Sequence, residues 1–384
     1  MLYYILVKGG VIMNLTLTAK IKINPTNEQA TILKETMDAY RKACNFVSEI
    51  IFHSKILTQA KLHNTTYRDL RSQFGLRSQM AQSVIKTVIA KYRTIKSNGH
   101  SWTLVHFKKP QYDLVFNRDY SLNKGLFSVN TLEGRIKVPF EIKGFEEYFD
   151  GTWTFGTAKL VYKHGKWFLY IPMSKEIEEC DLKNINQVVG VDFGVNFVIT
   201  TYDSNGKTFF WNGRRIKHQR EKYKRLRKQL QQKRTPSARR RLKAIGQREN
   251  RWMQDVNHCI SKALVERYGA NTLFVLEDLT GIRRATEKVR KKDRYTMVSW
   301  AFYDLRQKIE YKALKHRAKV ITVDPKYTSQ TCPKCGHTEK DNRNKQTHTF
   351  CCKNCHYQSN DDRVGAMNLQ RKGIEYIVEE TIQA

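Results

Sequence analysis

The sequence predicts a multidomain α+β protein on three observations. The chain has 384 residues, enough for two or three domains at about 150 residues each. Long helical apolar periods near the start give way to short aromatic and β-branched runs, and then to strands alternating with helices. Five of the eight cysteines crowd into the 24 positions from Cys332 to Cys355, which marks a small metal-held insertion.

The elements follow in order. The apolar opening at 2–7 is too short for an anchor or signal, and Met13 begins an ordered alternation, so 1–12 are read as a flexible or over-long start outside the fold. Leu15, Leu17, Ala19, Ile21 and Ile23 alternate as a strand that ends at Asn24-Pro25. Thr26 and Gln29 stand in capping-box relation and open a helix whose stripe is Leu33, Met37, Tyr40, Cys44, Val47 and Ile51. A second helix carries Leu76, Met80, Val84, Val88 and Tyr92 on one face. Strands are expected at 102–107, 112–116 and 135–140, with a hairpin at 158–173 folded about His164-Gly165. The strand at 14–24 has no local partner, so it is expected to join this later set as a small β-barrel with a helical insertion. Beyond Val188, a hairpin at 188–202, strands at 208–211, 273–277 and 319–323, a helix at 300–316 and a final helix near 362–371 suggest helices packed on a mixed sheet.

Charge narrows the function. Lys and Arg number 69 against 36 Asp and Glu, a formal net of +33. With 40% hydrophobic and 11% aromatic residues the chain can bury real cores, which excludes disorder as the overall class. A polyanion must offset so much self-repulsion, so nucleic acid is the leading partner and an acidic membrane surface the weaker one. No apolar run is long enough for a membrane-spanning helix. Segment 214–251 holds 17 Lys or Arg against only Glu221 and Glu249, and is read as a helix lying on phosphates. Its candidate contacts are Arg214, Arg215, Arg220, Lys224, Arg227, Lys228, Arg239, Arg240 and Arg241.

Three acids and four cysteines carry the chemistry. In the strand Gly190-Val191-Asp192-Phe193-Gly194 the glycines share a face with Asp192, leaving room for a hydrated metal and a phosphate, while Val191 and Phe193 face the core. The apolar run 273–276 ends in Glu277 and Asp278, which point opposite ways. Glu277 is assigned to the site and Asp278 to the turn that includes Gly281. Asp361 and Asp362 begin the last helix, where an acid also serves as a cap. Carboxylates from two strands and a helix start would repel each other unless divalent cations bound there, an arrangement suited to two-metal phosphodiester hydrolysis. Cys332 and Cys335, then Cys352 and Cys355, form two C-x-x-C pairs separated by 16 residues, the spacing of a structural zinc ribbon, with Cys351 as a spare. Paired in this way, the cysteines also predict a reducing compartment.

Taken together, the residues resemble the TnpB family. The likeness rests on Lys22-Ile23-Asn24-Pro25-Thr26 with Glu28-Gln29, on the strand around Asp192, on Val275-Leu276-Glu277-Asp278-Leu279, and on the run from Val323 to Cys332 leading into the ribbon. It implies an RNase H-like RuvC domain (184–325 plus 357–384) with an inserted zinc ribbon (326–356). It also implies a β-barrel wedge domain (13–25 plus 98–183) with an inserted helical recognition domain (26–97). The implied activity is RNA-guided cleavage of double-stranded DNA beside a short adjacent motif, using a transposon-derived guide RNA, two Mg2+ ions for which Mn2+ can substitute, and structural Zn2+. Carried over, Asp192, Glu277 and Asp362 are the three RuvC acids. Asp361 stays open as the third, because the family's Asn two positions after that acid is Val364 here. Arg283, Arg284 and Arg290 fall in a loop charged to hold a strand across the metals. Phe107 to Tyr112 is either a nucleic-acid contact or a barrel strand. The implied setting is the bacterial cytoplasm at the nucleoid, with no membrane partner and the oligomeric state open. Two competing functions remain: an RNA-guided repressor that does not cut, and an accessory transposase.

Overall fold

The computed structural model describes residues 4–7, 10–109, 111–194, 196–279 and 302–383. They form two compact units, one of Asn14–Glu176 and one that joins the segment 3–13 to the residues from Ile177 on. Among the described residues of the start, strand β1 (Tyr4–Val7) pairs antiparallel with the beginning of β2 (Gly10–Ile23), where a flexible lead was expected. β2 continues into the first unit and alternates as its sequence requires, with Leu15, Ala19, Ile21 and Ile23 buried.

The other strands of this unit are β3 (Tyr112–Leu114), β4 (Tyr120–Asn123), β5 (Leu126–Thr131), β6 (Gly134–Glu141), β7 (Thr154–Phe155), β8 (Ala158–Lys163) and β9 (Lys166–Glu178). They make a barrel-like sheet in the order β3-β8-β9-β2-β6-β5-β4, with β7 beside β9. The unpartnered first strand thus finds a distant neighbour: Lys22 pairs with Glu141 and Ile23 with Phe140. His164 and Gly165 turn β8 into β9 with φ of 52° and 74°, the left-handed pair that a tight hairpin demands. Helix α1 (Asn27–Ser54) begins with the predicted box: Gln29 N donates to Thr26 Oγ1 and Thr26 N to Gln29 Oε1. Its whole predicted stripe is buried, as is that of α3 (Ser78–Ser97). Between them lies α2 (Gln59–Ser72), which the sequence concealed because its buried face is only Leu62, Thr66 and Leu70. Segment 102–107 forms no strand. Its backbone bonds to helix side chains instead, Phe107 N to Asn45 Oδ1 and Val105 N to Tyr92 Oη. The Tyr112 ring is fully buried, so that aromatic belongs to the core.

In the second unit β10 (Gln187–Asp192), β11 (Phe197–Tyr202), β12 (Thr208–Asn212), β13 (Thr272–Glu277) and β14 (Lys319–Val323) form a sheet ordered β12-β11-β10-β13-β14. β10, β13 and β14 run parallel, and β11 and β12 are antiparallel. Helices α4 (Arg214–Lys233) and α5 (Pro236–Tyr268) precede β13, and α6 (Phe302–Lys315) precedes β14. One face of the sheet packs Val189, Val191, Phe274 and Leu276 against Ile260 and Leu264 of α5 and Leu305 and Ile309 of α6. The opposite face packs Val188, Leu273 and Val275 against Leu369 of the last helix, α7 (Asp361–Gln383). With both faces covered, 273–276 has to be apolar throughout. Short strands β15 (Arg343–Asn344), β16 (Thr349–Cys351) and β17 (Gln358–Asn360) form a separate small sheet, with Cys332 and Cys335 before it and Cys352 and Cys355 between β16 and β17, and β17 leads directly into α7.

The glycine of β10 does a different job from the one its sequence suggested. A Cβ at Gly190 would stand 2.0 Å from the Ala366 carbonyl oxygen and 2.5 Å from the Gln370 nitrogen, both backbone atoms of α7. Gly190 therefore gives its space to close strand–helix packing, not to a metal or phosphate. Gly190→Ala is expected to push α7 away, cost about 1–3 kcal/mol, and impair whatever depends on the start of that helix. Thermal melts check it, and an unchanged Tm would contradict this packing.

The basic segment is two helices, broken at Arg234 (φ 51°) and restarted by Thr235 as N-cap with Pro236 after it. Glu249 is its internal counter-charge. Only 6% exposed, it pairs with Arg227 and lies 4.0 Å from Arg220, itself 5% exposed. These two arginines stabilise the helix pair, and Arg220 is too enclosed to meet a phosphate.

Candidate metal centre

Asp192 is the last residue of β10 and Glu277 the last of β13. The parallel pairing Val191↔Leu276 sets the two acids side by side where the strands end. Asp362, in the first turn of α7, meets the same place. A Cβ at Gly194 would lie 3.7 Å from Asp362 Oδ2, and one at Gly365 would lie 3.2 Å from the Asp192 carboxyl carbon. Gly365 thus lets the helix start approach the Asp192 carboxylate with no side chain between them.

The electrostatics are those of crowded acids. Burial, then the charges of Glu277 and Asp362, push the Asp192 carboxyl well above the usual carboxylate range. Burial also raises Glu277, against a hydrogen bond from Thr328 Oγ1 to Glu277 Oε1 at 2.7 Å. Asp362 is raised by burial and by neighbouring Asp361, with Arg343 and His348 opposing. No hydrogen bond to the Asp192 carboxylate is found among the described residues. A hard divalent cation suits such a set of oxygens, and it would offset the burial, and the neighbouring negative charge, that raise these three groups.

Asp361 is differently placed. It is fully buried, takes Arg343 Nε at 2.8 Å, and accepts the backbone N–H of Asp362 at 3.0 Å. Its carboxylate is thereby committed to an arginine and to the helix start. Asp278 N donates to Val323 O, and the Asp278 side chain pairs with Arg306 at 3.1 Å, away from the acids it precedes. Gly281, proposed to share its turn, lies outside the described residues.

The four predicted cysteines come together. Cys332 Sγ lies 3.6 Å from Cys355 Sγ, and Cys335 Sγ 3.6 Å from Cys352 Sγ. These separations are far too long for a disulfide and close to the edge of about 3.8 Å for a tetrahedron of thiolates at about 2.3 Å from zinc. Cys351 stands outside the group, so the C-x-x-C register holds at Cys352. Among the described residues one other group brings ligand atoms within 4.8 Å of one another, His348 with Asp361 and Asp362, and Asp192 and Glu277 lie outside it.

Arg214, Arg215, Lys224, Lys228, Arg239, Arg240 and Arg241 are solvent-exposed on α4 and α5. Arg283, Arg284 and Arg290 lie outside the described residues. Sequence reasoning missed the supports of the acids: Thr328 on Glu277, Arg343 on Asp361, and Asn368, whose Nδ2 donates to the Thr328 and Thr331 carbonyls at 2.7 and 2.8 Å. Thr328 lies inside the run from Val323 to Cys332 and Asn368 inside the expected last helix, which was the available signal. Arg343 and His348 had none.

The family model described as Cas12f1-like, TNB domain matches residues 302–369, and that described as probable transposase, OrfB_IS605, matches 170–281. The fold is shared with a cryo-EM structure of a Cas12f1–sgRNA–target DNA complex, at a TM-score of 0.60 and 14% identity over 93% of this chain and 99% of that one. A TnpB-like protein of Methanocaldococcus jannaschii is 30% identical over 242 residues, covering 61% of this chain and 83% of its own. A CRISPR-associated endodeoxyribonuclease Cas12f1 of Syntrophomonas palmitatica is 29% identical over 282 residues, covering 67% of this chain. The chain belongs to the TnpB-like family. It spans 55% and 58% of the length of two Cas12f1 relatives. No described helix is long and apolar enough to cross a membrane.

Proposed function

We propose that this chain is an RNA-guided DNA endonuclease of RuvC type that hydrolyses phosphodiester bonds with two divalent cations, Mg2+ in the first instance. Asp192, Glu277 and Asp362 would hold the ions. In this reading the sheet and its helices, 184–325 plus 357–384, are the RNase H-like nuclease domain. The cysteine-bearing insertion at 326–356 is its zinc ribbon, the barrel strands at 13–25 plus 98–183 the wedge, and the helices at 26–97 the recognition insertion. The guide RNA would supply sequence selection by base pairing, and the protein would read an adjacent duplex motif, as in related effectors.

The observation that carries this reading is the approach of three carboxylates, from the ends of two parallel strands and one helix start, near enough for the charges of Glu277 and Asp362 to raise the proton affinity of Asp192, in a chain of net charge +33. Bound cations would activate the attacking water and stabilise the leaving oxygen. The chain's own residues have separable tasks. Thr328 fixes the rotamer of Glu277, Gly365 keeps the approach to Asp192 open, and the exposed arginines and lysines of α4 and α5 bind phosphates. Asp362 is preferred to Asp361 as the third ligand, because the Asp361 carboxylate is already engaged by Arg343. The acids favour the nuclease over the repressor reading, since a pure binder gains nothing from three crowded carboxylates on a surface that must attract phosphate. The test is cleavage of a plasmid library by the protein with its co-purified RNA. Linearisation is expected in Mg2+ and not in EDTA, and binding without cutting under both conditions would establish the repressor instead.

A further inference from the structure

We infer that His348, in the turn between β15 and β16, is a nitrogen ligand to the divalent cation held beside Asp361 and Asp362, and that it biases this site toward Mn2+ over Mg2+. The inference rests on the metal reading above and adds a ligand of different chemistry from the three acids. His348 Nδ1 lies 3.5 Å from Asp361 Oδ1, and one ligand atom from each of His348, Asp361 and Asp362 falls within the 4.8 Å group. A ring nitrogen of His348 and an oxygen of Asp362 are thus near enough to share one ion, with the engaged Asp361 packed beside them. Although the ring is 37% exposed on one side, Nδ1 itself is buried and has no hydrogen-bond partner among the described residues.

The ring is held for this task. His348 occupies the left-handed region at φ 56°, an uncommon place for a residue with a Cβ, and its carbonyl accepts from Asn360 Nδ2 at 3.2 Å and from Asp361 N at 3.3 Å. These bonds lock the turn onto the start of α7. The other ring nitrogen, Nε2, abuts the side-chain amide of Asn196, in the connection from β10 to β11. A ligating imidazole needs one bare nitrogen and a second that donates to an oxygen. The structure places Asn196 Nδ2 against Nε2; turning that amide over, which the near-identity of amide N and O permits, would let its oxygen accept the Nε2 proton and leave Nδ1 bare. Asp361 has no need of a protonated imidazole, because Arg343 already supplies its cation at 2.8 Å. Mg2+ prefers oxygen donors and keeps its waters, whereas imidazole is a better ligand for Mn2+ and the later transition cations.

Pulsed EPR of Mn2+ bound to the full-length, zinc-loaded protein tests this directly. The wild type is expected to show coupling of Mn2+ to an imidazole nitrogen, and His348→Gln to lose it. The Kd for Mn2+ should rise about tenfold in the variant, while the Kd for Mg2+, measured by competition, changes by less than about threefold. A bound-Mn2+ spectrum of the wild type without nitrogen coupling overturns the inference without recourse to any variant, so misfolding of His348→Gln cannot shelter it. Equal loss of both ions in the variant also overturns it, since that outcome reflects positioning or charge. The broader reading fails separately: if Asp192→Asn cuts DNA normally while the nitrogen coupling persists, His348 is a ligand but the three acids are not the catalytic centre.

Discussion

Asp192→Asn is expected to lower DNA cleavage by about three orders of magnitude or more, to leave RNA and target binding nearly intact, and to make the metal-free protein more stable. The first two effects separate because the carboxylate would serve the ions, whereas the phosphates would meet the exposed cations of α4 and α5. The third follows from the raised proton affinity of Asp192. A carboxyl whose pKa is higher in the folded than in the unfolded chain is destabilising above its folded pKa, and that cost is relieved as pH falls toward the ordinary value of about 4. Removing the charge should therefore add about 1–3 kcal/mol at neutral pH, on the order of 5 °C in Tm. The advantage of Asp192→Asn over wild type should shrink as the pH is lowered, because wild-type Asp192 then takes up its own proton. Added Mg2+ should reverse the order by stabilising wild type alone. Melting curves of both proteins between pH 5 and 8, with and without Mg2+, measure this. A variant less stable than wild type in EDTA at pH 7.5 would show that Asp192 is a structural hydrogen-bond acceptor and not a crowded charge.

Much of this centre was legible in the sequence because its parts obey local rules. Alternation along 188–193 separates Val191 from Asp192, and the apolar length of 273–276 sets Glu277 at a strand end. Cysteine spacing announces the ribbon. What was hidden depends on contacts between distant segments. Gly190 looked like room for a ligand, yet the space belongs to the backbone of α7, about 175 residues further along. Arg220 looked like part of a phosphate-binding stripe, yet Glu249 draws it inward once the segment folds into two helices. Helix α2 and the path of 102–107 escaped for the same reason: three small or apolar residues in one, and hydrogen bonds to Asn45 and Tyr92 in the other, leave no period to read. Arg343 and His348 sit in a polar turn whose composition resembles any loop. Only the fold brings them to the acids.

The cysteine site should matter to cleavage although it stands outside the acids, and Cys352→Ser tests the link. Cys332, Cys352 and Phe350 form a very small core with Val364, a residue of α7 itself. Such a core is too small to hold its fold alone, and a zinc ion on the four sulfurs would supply the difference, since binding is worth about 10–16 kcal/mol in comparable small modules. If the ribbon loosens, β17 no longer delivers the chain to α7 in register. Asn360 Oδ1, which accepts from the Arg363 nitrogen at 3.1 Å, loses its place at the helix start, and Arg343 leaves Asp361. Asp362, one residue away, should then shift by an ångström or more, enough to cost about a hundredfold in rate. Cys352→Ser is thus expected to lose bound zinc and cleavage together while keeping the RNA binding proposed for the exposed cations of α4 and α5. Cys351→Ser is the control, since Cys351 lies outside the four-sulfur group and its loss should change neither zinc content nor rate. Metal analysis with a cleavage assay on both variants decides the matter. A Cys352→Ser protein that retains zinc and full activity would break the connection between the ribbon and the third acid, and a zinc-free Cys351→Ser protein would move the register by one residue.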